Sequence, residues 1–154
     1  MAHSAPQPAR SDSPPWFADG LRFSCTQCGN CCGGGPGNVY VSAEEGEKIA
    51  AFLGLSFDEF HREFTRKEGW RRSLTEQANW DCVFLRPDAS GRKICTIYEV
   101  RPVQCRTWPF WKSNLQSRQS WAAAGTGCPG IERGKRHELP VIQAALTANG
   151  SLPL

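Results

Sequence analysis

The cysteines carry the chemistry that this sequence offers, and half of them lie in one short stretch. Cys25, Cys28, Cys31 and Cys32 fall within eight residues, and glycines follow at positions 33–35. The first three repeat at the C-x-x-C-x-x-C interval, which lets one tight loop direct several thiolates at a common point. Glycine relieves the φ restriction that such a loop imposes on bulkier residues. The stretch therefore indicates a site for a soft cation or an iron–sulfur cluster.

The remaining four cysteines are spread along the chain after this loop, at Cys82, Cys95, Cys105 and Cys128. A single buried cysteine usually packs as a small hydrophobic residue. Four of them downstream of a cysteine cluster instead favour ligation, and we predict that they fold back onto the first four. All eight cysteines are therefore candidate metal ligands.

The residues leave the identity of the metal open. A structural zinc ion takes four thiolates in a tetrahedron, so eight cysteines suffice for two zinc sites. A 4Fe–4S cluster also takes four thiolates, and Cys25, Cys28 and Cys31 match the opening interval of bacterial ferredoxin loops. The ferredoxin pattern then breaks, because Cys32 follows Cys31 directly. A vicinal pair does not easily direct both sulfurs at one ion, which favours two sites or a polynuclear one.

The length and composition bound the domain organisation. The chain has 154 residues, and we expect a disordered tail at 1–15 and a single metal-binding domain at 16–154. The tail lacks the apolar core of a signal peptide, and no apolar run is long enough to cross a membrane. We therefore predict a cytoplasmic protein, where thiols stay reduced and metal is favoured over disulfides. A secreted disulfide scaffold is the alternative.

The charge pattern argues against a nucleic-acid partner. The formal net charge is only +3, whereas nucleic-acid-binding domains usually carry a strong basic face. The basic clusters at 66–67, 71–72 and 133–136 are interpreted as solvated surface, and a phosphate-binding role is the alternative. The three histidines lie in no hydrolase motif, and no glycine-rich phosphate loop is present. Any enzymatic chemistry would therefore reside in the metal centre.

The predicted elements make a small α+β fold of short helices and one β-hairpin around the cysteines. Capping boxes that begin at Ser42 and Ser56 predict two helices, and Gly54 ends the first. His61 is placed at the edge of the apolar stripe of the second helix. Residues 38–41 are typical of a short strand.

The second half of the chain supplies the predicted hairpin. Its strands cover 80–85 and 93–98, so Cys82 lies on one strand and Cys95 on the other. Pro102 begins a short helix that carries Cys105. A last helix is predicted from about 140 to 149.

These segments together resemble a known family. The quoted segments are Cys25 to Cys32, Cys82, residues 94–98 and residues 101–110. They are similar to the YkgJ-type cysteine-cluster family over roughly residues 23–130. The resemblance implies a zinc- or iron-chelating domain. The flagellin lysine N-methylase FliB has a similar cysteine pattern, which implies an iron–sulfur cluster, but this short chain contains no separate methyltransferase domain.

Charged residues beside Cys105 are candidates to support the metal ligands. Arg101 and Arg106 flank this cysteine, and a guanidinium near thiolates offsets their negative charge. The alternative for Arg101 is an ion pair with Glu99 or Asp81.

Aromatic residues nearby are open to two interpretations. Tyr98 donates its hydroxyl to a sulfur or simply packs. The aromatic block at 108–111 is a lid, a docking patch or core, and core packing is favoured.

Three functions remain open at this level. The first is a metal-chelating protein that binds zinc or an iron–sulfur cluster. The second is an iron–sulfur enzyme or accessory protein for electron transfer or protein modification. The third is a zinc-stabilised module that binds another protein. The sequence does not indicate whether a reaction is catalysed or what the oligomeric state is.

Overall fold

A computed structural model describes residues 13–150, and the core of this part of the chain lies in two hydrophobic clusters. The first is built by Leu21, Phe110, Leu115, Trp121, Ile131 and Ile142. The second is built by Ile49, Ala50, Phe60, Leu74, Phe84 and Ile97. Cys128 packs against the first cluster, whereas Cys82 and Cys95 pack against the second. Each cluster therefore has at least one cysteine packed against it. Most of the predicted disordered tail falls outside the described residues.

Two capped helices contribute the first residues of the second cluster along the chain. Helix α1 spans Ala43–Leu53 and helix α2 spans Phe57–Phe64. Both predicted capping boxes are confirmed, since Ser42 and Ser56 each accept from a glutamate backbone N–H and each glutamate side chain accepts in return. Gly54 ends α1 in the left-handed region, with φ of 71°. These ends are correct because capping is specified by residues only three positions apart.

The strands form three antiparallel pairs within the described residues. Strand β1 (Leu21–Phe23) pairs with β6 (Ile131–His137), and β2 (Thr65–Glu68) pairs with β3 (Arg71–Leu74). Strands β4 (Leu85–Pro87) and β5 (Lys93–Cys95) form the predicted hairpin. The α+β class is thus confirmed, but the prediction of a single hairpin is wrong.

The hairpin at β4–β5 is shorter than predicted, and Cys82 lies outside it. Leu85 pairs with Cys95, whereas Tyr98 lies in a 3-10 helix at Tyr98–Val100. Residues 77–82 form a turn instead, in which Trp80 has a φ of 67° and the Gln77 N–H donates to the Asp81 carbonyl. This turn interrupts the extended backbone that was predicted for residues 80–85.

The predicted strand at 38–41 is reduced to an isolated bridge between Tyr40 and Ser73. Its neighbours still hydrogen-bond to β3, since the Val41 N–H donates to the Arg72 carbonyl at 3.1 Å. The segment is therefore attached to the edge of β3 without a regular ladder.

The C-terminal half adds four helices. They are α3 (Val103–Arg106), α4 (Lys112–Leu115), α5 (Arg118–Gly127) and α6 (Leu139–Gly150). The predicted short helix with Cys105 and the predicted last helix are confirmed within one or two residues. Among residues 13–150, no helix has both the length and the apolar character needed to span a membrane.

Glu45 joins the first helix to the helix that carries Cys105. One of its carboxylate oxygens caps α1 at the Ser42 N–H, and the other accepts from the Val103 N–H at 2.6 Å. Glu59 occupies the equivalent capping position of α2, where it exchanges hydrogen bonds with Ser56 inside its own capping box. The two glutamates therefore differ by one tertiary hydrogen bond.

This difference predicts unequal costs for two matched substitutions. We expect Glu59→Ala to lower the free energy of unfolding by about 0.5–1 kcal/mol through loss of the cap. Glu45→Ala should cost roughly 1–2 kcal/mol more, because the partly buried Val103 N–H loses its charged acceptor. Denaturant titration of metal-loaded protein measures both. Equal losses would show that the contact with Val103 contributes nothing.

Candidate metal centre

Seven of the eight cysteines line one cavity of about 50 Å³. They are Cys25, Cys28, Cys31, Cys32, Cys95, Cys105 and Cys128. Cys82 lines a neighbouring cavity together with Cys31 and Cys32. The structure therefore gathers thiols that lie far apart in the sequence, as the fold-back of the downstream cysteines requires.

The first cysteine loop ends in a 3-10 helix at Asn30–Cys32. Gly29 precedes it in the left-handed region, with φ of 78°, and a Cβ there would lie 3.0 Å from Leu85. The Cys32 N–H then donates to the Gly29 carbonyl at 2.9 Å, which closes the turn. Glycine at this position thus lets the loop reverse tightly against the β4–β5 hairpin.

Two hydrogen bonds, one from Ser24 and one from Asn30, hold this loop against the segment around Cys128. The Ser24 N–H donates to the Gly130 carbonyl at 3.2 Å, and the Asn30 side chain donates to the Gly127 carbonyl at 3.1 Å. The Cys128 thiol in turn lies 3.4 Å from the indole N–H of Trp108. We call this end, with Cys25, Cys28 and Cys128, the outer end of the site.

A different set of contacts holds the end of the loop. The Cys82 N–H donates to the Cys32 carbonyl at 2.6 Å, so the backbones of these two cysteines touch directly. Cys95 closes β5, and Cys105 lies in the first turn of α3. We call this end, with Cys32, Cys82, Cys95 and Cys105, the inner end.

A buried glutamine fixes the helix of the inner end. Gln104 is 6% exposed, and its amide donates to the Asn38 carbonyl at 2.8 Å and accepts from the Tyr40 N–H at 3.0 Å. The backbone carbonyl of Gln104 accepts a hydrogen bond from the Trp111 indole N–H at 3.0 Å. Sequence reasoning did not single out Gln104, although it directly precedes Cys105.

Asp81 supports the loop at the point where the loop leaves the 3-10 helix. Its carboxylate pairs with Lys93 at 2.5 Å and accepts from the Asn79 amide at 3.0 Å. The hydrogen bond from Lys93 lowers the pKa of Asp81, so the charge is retained. A Cβ added at Gly33 would overlap this carboxylate. The sequence identified Gly33 only as a flexible position, but the structure requires it for this close approach.

The adjacent thiols Cys31 and Cys32 form an asymmetric pair. Their sulfur atoms lie 3.8 Å apart, and the bond from Cys32 lowers the pKa of Cys31 to about 7. The same bond, together with burial and nearby thiols, raises the pKa of Cys32. The pair therefore loses a first proton readily and holds the second one.

Burial acts on the other inner thiols in one direction. It raises the pKa of Cys82, Cys95 and Cys105, and repulsion between the thiolates adds to the effect. Several negative charges at this place are therefore unfavourable until a positive charge joins them. A bound cation supplies that charge and reverses the preference.

Arg101 is the cation that lines the cysteine cavity. Its guanidinium lies 3.6 Å above the Tyr98 ring, and its Nε donates to the Tyr98 carbonyl at 2.8 Å. Its charge lowers the pKa of Cys31. The ion pairs found within residues 13–150 do not include Arg101 with Glu99 or Asp81.

The other predicted supporting residues have different roles. The Tyr98 ring packs beneath the Arg101 guanidinium and lines the cavity. Arg106 is exposed, does not line the cavity and donates to the Arg101 carbonyl at 2.9 Å. Phe110 is buried in the first cluster, as core packing predicts. His61 stacks on Phe57 at 4.9 Å, at the edge of the core.

The cysteine thiols that line the cavity are the kind of ligand that a thiophilic metal prefers, and one distance between two of their sulfurs can be compared with a metal site. Four thiolates at about 2.3 Å around a tetrahedral ion lie about 3.8 Å from one another, and the Cys31 and Cys32 sulfurs are 3.8 Å apart. This separation is compatible with a polynuclear centre or with two adjacent centres that take one sulfur each, the arrangements that the sequence favoured. Across residues 13–150, however, no three cysteine, histidine, aspartate or glutamate side chains are close enough to hold one ion. The thiols surround the cavity without closing on one point.

The family comparison covers this same region. The model of the CxxCxxCC family, described as "Putative zinc- or iron-chelating domain", matches residues 24–129. The chain belongs to the CxxCxxCC family. The match begins one residue before Cys25 and ends one residue after Cys128, so it contains all eight cysteines of the chain.

One curated relative is an uncharacterized protein of Methanocaldococcus jannaschii. It is 31% identical over 94 residues, which are 61% of this chain and 48% of the relative. The chain thus spans about half the length of this relative. No significant match to a solved structure was found.

The contact between Gly33 and Asp81 predicts a sharp difference between two neighbouring glycines. Gly33→Ala should displace the loop and reduce metal content, because the new methyl group overlaps the Asp81 carboxylate. Gly35→Ala should leave metal content unchanged, since a Cβ there meets nothing within 4 Å. Elemental analysis of both purified variants tests this. Full metal content in Gly33→Ala would contradict the proposed role of the close approach.

Proposed function

We propose that this chain binds zinc or iron through cysteine thiolates in the cavity between its two hydrophobic clusters. The observation that carries the proposal is the gathering of seven cysteines on the walls of one cavity, with the eighth bonded to Cys32 through its backbone. The family description agrees with this chemistry. Thiolates are the ligands that zinc and iron–sulfur clusters share.

We further propose two four-cysteine centres, one at each end of the cavity. The outer centre takes Cys25, Cys28, Cys31 and Cys128, and the inner centre takes Cys32, Cys82, Cys95 and Cys105. The division follows the two sets of hydrogen bonds that anchor the loop, one to residues 127–130 and one to Cys82. The vicinal pair then contributes one sulfur to each centre. Zinc would crosslink the segments, whereas an iron–sulfur cluster would add one-electron chemistry.

The metal content of the purified protein tests this proposal. Protein prepared anaerobically is analysed for zinc, iron and acid-labile sulfide, and its visible absorption is recorded. We expect either two zinc ions per chain without colour, or iron with sulfide and a brown colour that bleaches on reduction. Protein that is folded, reduced and free of bound zinc and iron after reconstitution would overturn the proposed function.

Serine substitutions distinguish two centres from one. Cys28→Ser should lose the outer metal and Cys95→Ser the inner metal, so that each retains about half of the wild-type content. The double variant should retain almost none. Thr26→Ala, in the same loop but without a sulfur, serves as the control. Complete loss of metal in both single variants would instead indicate one shared centre.

The position of Arg101 predicts how charge supports the thiolates. Arg101→Gln should weaken metal binding by about 10-fold or more, the usual effect of losing a group that supports metal ligands. Arg101→Lys should restore part of the affinity. Arg106→Gln should have little effect, because this side chain does not line the cavity. Competition with a chromophoric chelator measures all three affinities, and equal losses for Arg101→Gln and Arg106→Gln would disprove the role of Arg101.

A further inference from the structure

A larger cavity lies among α1, α2 and the β2–β3 hairpin, and it shares no lining residue with the cysteine cavity. Its volume is about 450 Å³, which falls within the range of about 300–1,000 Å³ for small-molecule sites. Phe57 and Phe60 form part of an apolar wall, against which α1 passes closely at Gly46. The metal-binding proposal makes no use of this cavity.

Aromatic rings and a guanidinium form its mouth. Trp70, in the turn between β2 and β3, is 79% exposed, which is the largest exposure among the exposed large hydrophobic residues of the described chain. The Arg71 guanidinium lies 3.6 Å from the centre of the Tyr40 ring and 5.4 Å from that of Trp70. An exposed indole beside a cation offers a flat surface on which another ring can stack.

The charge at this cavity is positive. Arg71 and Arg72 both line it, and none of its lining residues among those described is acidic. Arg72 donates to Thr65 Oγ1 at 2.7 Å and to the His61 carbonyl at 3.1 Å, which are neutral acceptors. It takes part in none of the ion pairs found within residues 13–150. The guanidinium charge is therefore held in place without a carboxylate to neutralise it.

His61, which also lines the cavity, is affected by the positive charge of Arg72. The pKa of His61 is lowered, first by burial and then by the charge of Arg72. Its ring, stacked on Phe57, is thus neutral near pH 7 and adds another flat surface. The charge of Asp58 raises the pKa of His61 and so partly opposes this effect. Asp58 does not line the cavity.

We propose that this cavity binds a small anion carried on a flat ring, such as a heteroaromatic phosphate or carboxylate. The ring stacks between the aromatic surfaces at the mouth, and the anionic group meets the charges of Arg71 and Arg72. Because the aromatic residues and the guanidinium groups line the same cavity, we expect tight binding only from a ligand that carries both the ring and the anion. The site shares no lining residue with the cysteine cavity, so this proposal can be tested separately from the proposed metal binding.

Calorimetric titration of the metal-loaded protein with matched probes tests this proposal. Adenosine monophosphate and indole-3-carboxylate carry both parts, adenosine and indole carry only the ring, and inorganic phosphate and acetate carry only the anion. At least one complete probe should bind at least about tenfold more tightly than either of its parts. Absence of binding by both complete probes, or equal binding of the anion alone, would overturn the proposal.

Two variants and two controls locate the binding. Trp70→Ala and Arg71→Gln should each weaken the complete probe by about tenfold or more. Phe52→Ala and Arg62→Gln remove an exposed ring and an exposed cation that do not line the cavity, and both should bind as the wild type does. Circular dichroism and metal content confirm that each variant is folded. Wild-type affinity in both Trp70→Ala and Arg71→Gln would place the ligand elsewhere and refute the assignment.

Discussion

The arrangement of this protein depends on holding an irregular cysteine loop at both of its ends. The Ser24 N–H bonds to Gly130 at one end, and the Cys32 carbonyl bonds to Cys82 at the other. Each such bond contributes about 1 kcal/mol net, whereas ordering the backbone costs about 1–2 kcal/mol for every residue between them. Metal binding is worth about 10–16 kcal/mol in small zinc peptides. The two bonds therefore set where the loop lies, and metal ligation, if it occurs as proposed, would be strong enough to order it.

Local signals explain which parts of the fold were predictable. The helix starts at Ser42 and Ser56 follow from residues three positions apart, and the end at Gly54 follows from one glycine. The β2–β3 hairpin was missed because its strands are mostly charged, so alternation of apolar and polar residues gives no signal. The pairing of β1 with β6 was missed because its partners lie more than 100 residues apart, and no local pattern encodes such a distance.

In the candidate site, too, some residues could be recognised from local sequence signals and others could not. Cysteine is a recognisable donor at any position, so residue type and spacing were enough to propose all eight. The supporting residues are not recognisable in this way. Asp81 acts through its approach to Gly33, and Gln104 through bonds to Asn38 and Tyr40. Their roles follow from which segments meet in space. Cys82 shows the same limit, since it was predicted to lie in a strand at 80–85 although the chain turns there.

The span of the donors has a consequence for the timing of biosynthesis. The cysteines that line the cavity run from Cys25 to Cys128, which is 128 − 25 = 103 positions of chain. A ribosome adds roughly 5–20 residues per second, so the last donor follows the first by about 5–20 s. Throughout that interval the nascent chain presents four clustered thiols without the segments that later cover them. If these cysteines bind metal as proposed, loading before translation passes residue 128 would trap an incomplete centre.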